Sequence, residues 1–322
     1  MAGWARTRRL WISLLVGCAT ALAACGSGGT SPNGAQARNY VSGGSLSIRS
    51  IGDFRSFDVQ LTQDSTTNAI MANNYATLLY LGTNGKFEGY LAKSWKASAT
   101  SVSFVLKSGI TCADGTPLTA TMVKNSFQRM FDIKDPYAPV LFGPGPYTMT
   151  AEDASRTFTF SVGTPYSDLA YSFTQTFPNS LTGIICPAGL KDPTQLTSKM
   201  FGLGAYTLVE AVHSDHVTMK LRPDFAWGPY GVTAKTPGVA DTLMFKIIDS
   251  DTTAANAILT GALDVGLVAG ADVSRLLNDT SLAHVDVLDS YMLQELAINE
   301  SPGHVGTDET DRKSTRLNSS HT

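Results

Sequence analysis

The chain has 322 residues, 43% of them hydrophobic and 16% charged, with a formal net charge of −3. Leaving aside Arg6, Arg8 and Arg9 at one end takes the charge to −6, and leaving aside Asp311, Arg312, Lys313 and Arg316 at the other takes it to −8. An acidic body of this kind lacks the basic footprint by which proteins hold nucleic acid, and its length suffices for a sizeable core and more than one lobe.

Arg6, Arg8 and Arg9 precede an apolar run from Leu10 to Leu22, the pattern of an export signal. The run is too short for a permanent membrane span. It ends in Leu22-Ala23-Ala24-Cys25 followed by Gly26-Ser27, which resembles a bacterial lipobox. On that reading residues 1–24 are a lipoprotein signal peptide and the Cys25 thiol carries the lipid, with a signal peptide cut elsewhere as the alternative. Thr7-Arg8-Arg9 leaves both general secretory and twin-arginine export open. Residues 25–43, rich in Gly, Ser, Asn and Ala, read as a flexible tether.

Beyond the tether, Gly44 to Ser50 alternates as a first strand, and a loop from Gly52 to Thr66 leads to a helix expected over Asn68–Tyr80, with Ile70, Ala72, Tyr75 and Leu79 inward. Val102, Phe104 and Leu106 alternate with Ser101, Ser103 and Lys107, the signal of a half-buried strand. Asp114-Gly115 turns the chain, and Thr119 can cap a helix from Ala120 whose apolar positions Val123, Phe127 and Met130 share one face. Tyr147–Met149 and Phe158–Val162 flank a polar turn as a hairpin, and Leu181–Ile185 reads as a strand ended by Cys186. Gly202-Leu-Gly204 opens a strand at Tyr206, which returns after a polar tip through Val217, Met219 and Leu221. A strand at Leu243–Ile247, a helix from Asp251 to Leu259, a stop at Gly261 and a strand at Asp264–Val268 predict a right-handed parallel crossover. Tyr291–Asn299 reads as one more strand.

Several of these segments carry a resemblance. Gly85-Lys-Phe-Glu-Gly-Tyr-Leu-Ala-Lys-Ser-Trp95, the strand, and the stretch from Lys107 to Phe131 with its Asp-Gly-Thr-Pro-Leu-Thr-Ala turn resemble the signature of the family 5 extracytoplasmic solute-binding proteins of ABC transporters. The opening strand and Phe57-Asp-Val-Gln-Leu61, the glycine-rich turn into Tyr206, and Gly261-Ala-Leu-Asp-Val-Gly266 resemble the same family in the same order. Arg222-Pro-Asp-Phe-Ala-Trp-Gly228 departs from the family's Asn-x-x-Tyr-Trp-like segment. The resemblance covers Gly43 to Pro302. It implies an α/β, two-lobed periplasmic-binding-protein-like fold of type II (cluster C), of which residues 44–302 supply the first lobe and the start of the hinge and residues 303–310 the beginning of a truncated second lobe. Asp311 to His321 matches one translated frame of a common sequencing adapter, so residues 311–322 are expected to be non-native.

The same resemblance implies an outer-face, lipid-anchored, monomeric receptor that captures a peptide or similar small solute and delivers it to an ABC permease and its ATPase, with no cofactor and no catalytic residue. Oligopeptide is the commonest ligand type, with dipeptide, nickel complex and sugar as alternatives, and a sensor lipoprotein on the same fold is the rival reading. In the family the loop after the first strand faces the ligand cleft, which makes Gln60, Thr62 and Asp64 candidate contacts, with Tyr137 in the Pro-rich segment beside them. Cys112 and Cys186 are the cysteines left after the signal; an exported location favours pairing them, which would close a loop of roughly 75 residues and contribute about 4 kcal/mol. Two unpaired core thiols, or partners elsewhere, remain the alternatives. His213-Ser-Asp215-His216 has metal-ligand residue types, but its place at a hairpin tip fits solvated polar residues. Glu152-Asp153 and Asp249 with Asp251 fall in turns and caps, and no nucleophile elbow, zinc helix or phosphate loop is present.

Overall fold

The computed structural model describes residues 42–176 and 178–284. Its elements run β1 (Ser45–Ser50), α1 (Ser65–Met71), β2 (Leu79–Leu81), β3 (Phe87–Gly89), β4 (Ala92–Ala97), β5 (Ser101–Leu106), α2 (Ala120–Asp132), α3 (Ala138–Phe142), β6 (Tyr147–Glu152) and β7 (Thr157–Val162). They continue with α4 (Pro187–Lys191), β8 (Tyr206–Val212), β9 (His216–Leu221), β10 (Thr242–Ile247), α5 (Asp251–Leu259) and α6 (Val273–Leu277). The signal, the tether up to residue 41, Cys25, the expected strand at Tyr291–Asn299 and the tail lie outside the described residues.

Strands β4 to β7 form an antiparallel sheet in the order β4-β5-β7-β6. On β5 the side chains of Val102, Phe104 and Leu106 are buried, and on β7 those of Phe158, Phe160 and Val162, so both strands bury alternate residues as their period-2 patterns require. Helix α2 packs on β6 and β7. It starts where Thr119 Oγ1 accepts the Met122 amide at 3.0 Å, and it buries Val123, Phe127 and Met130. Phe127 lies 5.5 Å from both Phe158 and Phe173, at the centre of an aromatic core that also holds Phe104, Phe142 and Phe160. Each such ring contributes roughly 2 kcal/mol by burial alone.

A second sheet, β1-β10-β9-β8, pairs β1 parallel to β10 and the others antiparallel. Its inner residues, Val217, Met219, Leu243 and Phe245, meet Phe54, Phe57, Val59, Ile70 and Met71 in a separate apolar cluster. Phe201 and Ala205 pack against both clusters, and Asn73 and Asn74 bond to the segment that carries them. The Asn74 side chain accepts the Gly202 amide at 2.8 Å and donates to the Tyr206 carbonyl at 2.8 Å, while its carbonyl accepts the Gly204 amide. A Cβ at Gly202 would stand 2.2 Å from that carbonyl, so the backbone approach requires glycine there.

Three expectations are corrected. The helix placed over Asn68–Tyr80 is α1, which begins at Ser65 and ends at Met71, and Leu79 belongs to β2. The helix stops because the carbonyls of Asn73 and Asn74 are turned to the Gly204–Tyr206 segment instead of continuing along the helix axis. Leu181–Ile185 is no strand: Asn179–Thr182 forms a 3₁₀ turn, and Ile184 and Cys186 bond singly to Ala76 and Phe201. The strand at Asp264–Val268 shrinks to one parallel bridge between Val265 and Ile48. Its neighbour explains why, since the Asp264 carboxylate accepts from the Ser47 amide at 2.7 Å and hydroxyl at 2.6 Å, a side chain standing where the next backbone group would pair.

Cys112 and Cys186 form a disulfide with their Cα atoms 6.2 Å apart. It ties the loop after β5 to the start of α4. Arg222, whose segment departs from the family pattern, donates to the Cys112 carbonyl and to Thr111, pairs with Asp224 and lies over Trp227, and so braces the same loop.

Candidate ligand-facing loop

The stretch between β1 and α1 has no regular structure, yet of its fourteen residues only Ile51, Arg55, Leu61 and Gln63 are exposed. Three anchors hold it. At its start, Asp53 accepts the Ser214 amide at 3.1 Å and lies 3.0 Å from His213 Nδ1, and the His213 ring stacks on Phe54 at 4.2 Å. In its middle, Asp58 takes both terminal nitrogens of Arg129 on α2, and Gln60 accepts from the same guanidinium at 2.6 Å. At its end, Asp64 caps α1 by accepting the Thr67 amide at 2.7 Å.

The sequence-predicted contacts fall within this frame. Gln60 is buried, its amide donating to the Ser126 carbonyl at 2.8 Å. Thr62 is buried and donates to the Ser56 carbonyl at 2.8 Å. Tyr137 stands at the entry to α3, half-buried against the aromatic core, with its amide bonded to Asp135. Gln60, Thr62 and Asp64 thus come together on one loop, whereas Tyr137 stands on another segment with its amide bonded to Asp135. The side chains that reach solvent beside the predicted contacts are one position out of phase, Leu61 and Gln63, and Ile51 and Arg55 are exposed nearer the start of the loop. Leu61 is 53% exposed between the buried polar residues Gln60 and Thr62. Such an inverted pattern is the informative kind of burial, although in sequence Val59 and Leu61 look alike.

The Asp58–Arg129 pair is a buried one, and removing either partner leaves the other charge uncompensated at a cost of roughly 3–5 kcal/mol. Asp135 is also buried, and burial holds its carboxyl above the usual range against the opposing hydrogen bond from Tyr137. Tyr75, which donates to the Phe57 carbonyl beneath the loop, has its hydroxyl pushed well up by burial.

At the β8–β9 tip His216 contacts Asp215 and Glu210, and the Asp215 hydrogen bond raises its pKa. Among the described residues no group of three or more His, Cys, Asp or Glu side chains is arranged to hold a metal. Among the carboxylates, Asp153 accepts the Thr121 amide at 2.8 Å and Asp251 pairs with Arg49 at 2.6 Å. No helix of the described residues is long and apolar enough to cross a membrane.

With this geometry in view, residues 86–306 match the model of the bacterial extracellular solute-binding proteins, family 5 Middle. The chain belongs to that family. It is 33% identical over 154 residues to the probable D,D-dipeptide-binding periplasmic protein DdpA of Escherichia coli K12, a match covering 46% of this chain and 28% of that protein. Among solved structures, a substrate-binding protein from Microbacterium hydrocarbonoxydans complexed with 4-hydroxybenzoate hydrazide is similar with a TM-score of 0.64 and 27% identity, over 72% of this chain and 48% of that one. The dipeptide-binding protein from Pseudoalteromonas sp. SM9913 in complex with Met-Leu shares the fold with a TM-score of 0.62 at 22% identity, over 74% of this chain and 50% of that one. The fold is therefore that of the family 5 periplasmic binding proteins, of which this chain spans about half the length.

Proposed function

We propose that the chain is part of an extracytoplasmic receptor that captures a peptide or a similarly compact solute and passes it to an ABC permease and its ATPase. The observation that carries this reading is the family match over residues 86–306. The similar proteins are named for a D,D-dipeptide, Met-Leu and a hydrazide, which puts dipeptides and small amide-like solutes among the first candidates. Cys25 is the proposed lipid attachment point, and Cys25→Ala is expected to abolish incorporation of labelled palmitate.

The loop between β1 and α1 is the proposed ligand-facing element on this chain. Gln60, Thr62 and Asp64 serve as its frame, while Arg55, Leu61 and Gln63 are the side chains it presents. The test uses the full open reading frame that contains this sequence, purified and screened by thermal shift against L,L- and D,D-dipeptides, tripeptides, acyl hydrazides and nickel–histidine. A rise in melting temperature with one peptide class, reduced at least tenfold in affinity by Leu61→Asp, is the expected outcome. A protein that folds and responds to none of these solutes would overturn the receptor reading.

A further inference from the structure

An unpaired sheet edge is a template for a further strand, and folded proteins blunt such edges with charges, bulges or covering groups. Here β1 is covered by Val265, whose amide and carbonyl bond to Ser47 and Arg49 at 3.0 and 2.8 Å. The edge of β2 is taken by the Gln175 side chain, which bonds to both the amide and the carbonyl of Leu81. Strand β3 is short, and Lys107 occupies its Gly89 carbonyl. Strand β4 carries the exposed Lys93 and Lys96 and a bulge between Ala92 and Ser94. Strand β8 is tied at Tyr206 by Asn73 and Asn74 and bulges between Leu208 and Glu210.

Strand β6 has none of these devices. It pairs with β7 in unbroken register and carries no charge before Glu152. The Gly163 amide bonds to the Pro146 carbonyl at 2.8 Å, which sets the phase of the ladder. Pro146, Thr148 and Thr150 therefore turn their backbone groups toward β7, and Tyr147, Met149 and Ala151 turn theirs outward. Among the described residues those outward amides and carbonyls have no partner. Their side chains are half-buried where Phe158 and Phe160 on β7 are fully buried, as suits a strand with solvent on one side.

We propose that β6 pairs antiparallel with β6 of a second copy of this chain, joining the two β4-β5-β7-β6 sheets across a two-fold axis. The strand's own sequence favours a copy of itself as the occupant. With Met149 opposite Met149, the outward backbone groups of both strands meet. Thr148 then faces Thr150, a favourable cross-strand pair, and the Tyr147 ring faces the small Ala151. Glu152 falls opposite Pro146, so no like charges meet. A pair of strands this short buries less than the roughly 1,200 Å² of a stable interface, so the dimer is weak and reversible. This inference departs from the monomer that the family resemblance implies, and it does not depend on how any solute is bound.

Sedimentation velocity on the protein encoded by the full open reading frame, without solute, tests this across micromolar to millimolar concentrations. The unaltered protein is expected to pass reversibly from monomer to dimer as its concentration rises. Thr150→Lys places a charge on the exposed face of the edge, and Ala151→Pro removes an outward amide that the β6–β7 ladder does not use. Each is expected to weaken dimerisation at least tenfold while the melting temperature stays close to that of the unaltered protein. Protein that stays monomeric throughout, or a dimer that Thr150→Lys leaves unweakened, would overturn the proposal, even if Ala151→Pro fails to fold. Either result would leave the receptor reading standing, and a failed solute screen would leave the paired edge standing.

Discussion

Single residues decide where the two apolar clusters can meet. Asn74 uses its carbonyl, its side-chain oxygen and its side-chain nitrogen on three different groups of the segment from Gly202 to Tyr206. A methyl group at Gly202 meets that carbonyl at 2.2 Å, and the obstacle is backbone, which has little room to yield. Gly202→Ala is therefore expected to lower stability by about 3 kcal/mol, the upper range of overpacking, read from the midpoint of a urea transition. A change below 1 kcal/mol would show that the seam adjusts freely. In the sequence Gly202-Leu-Gly204 is visible as a turn, but nothing near it says that the group pressing on it lies at Asn74. The loop facing solvent through Leu61 was hidden for a related reason, since burial of Gln60 depends on Arg129 and Ser126, far along the chain.

Elements were legible where local chemistry and tertiary demand agree. Helix α2 has its cap at Thr119, its apolar face at Val123, Phe127 and Met130 and a sheet to cover that face, so pattern and structure coincide. The β5 and β7 strands are equally local, each alternating and each paired with the strand just before it, β4 and β6. Where a segment's partners are scattered, the pattern misled: Leu181–Ile185 is apolar enough for a strand but finds only isolated backbone bonds. The Asp264 edge shows the third case, a side chain substituting for a strand. Its pKa is lowered chiefly by the Ser47 hydroxyl and amide. A depressed carboxylate stabilises the fold at neutral pH, and that contribution disappears as pH falls through the ordinary carboxylate range and below it. Asp264→Asn is expected to reduce stability at neutral pH and to flatten the acid limb of a stability-against-pH curve. An acid limb identical to that of the unaltered protein would exclude the carboxylate as its source. Most of the side chain is solvated, so the effect is expected to be modest and weakened by salt.

At the scale of the molecule, two cores border a polar seam, and a covalent link between positions separated by 74 residues closes within the larger, aromatic one. The sequence suggested that link from cysteine count and compartment, without showing which surfaces it would join. Replacing both Cys112 and Cys186 with Ala is expected to remove about 4 kcal/mol by freeing the unfolded chain, measured by guanidinium unfolding under oxidising conditions. A loss below about 1 kcal/mol would mean that the unfolded chain gains little freedom when the link is cut.

The parallel pairing of β1 with β10 has a consequence for the time at which each part can form. The β5–β7 and β6–β7 pairs close between residues 101 and 162, as soon as that stretch has emerged during synthesis or export. Ser45, in contrast, can meet its partner only when Thr242 arrives. The sheet with the earliest strand is therefore the last to close, and β1 must wait as an open edge while the aromatic core assembles ahead of it. A nascent chain halted after residue 170 and one halted after residue 260 should differ in one respect above all: protease should remove β1 from the first and spare it in the second.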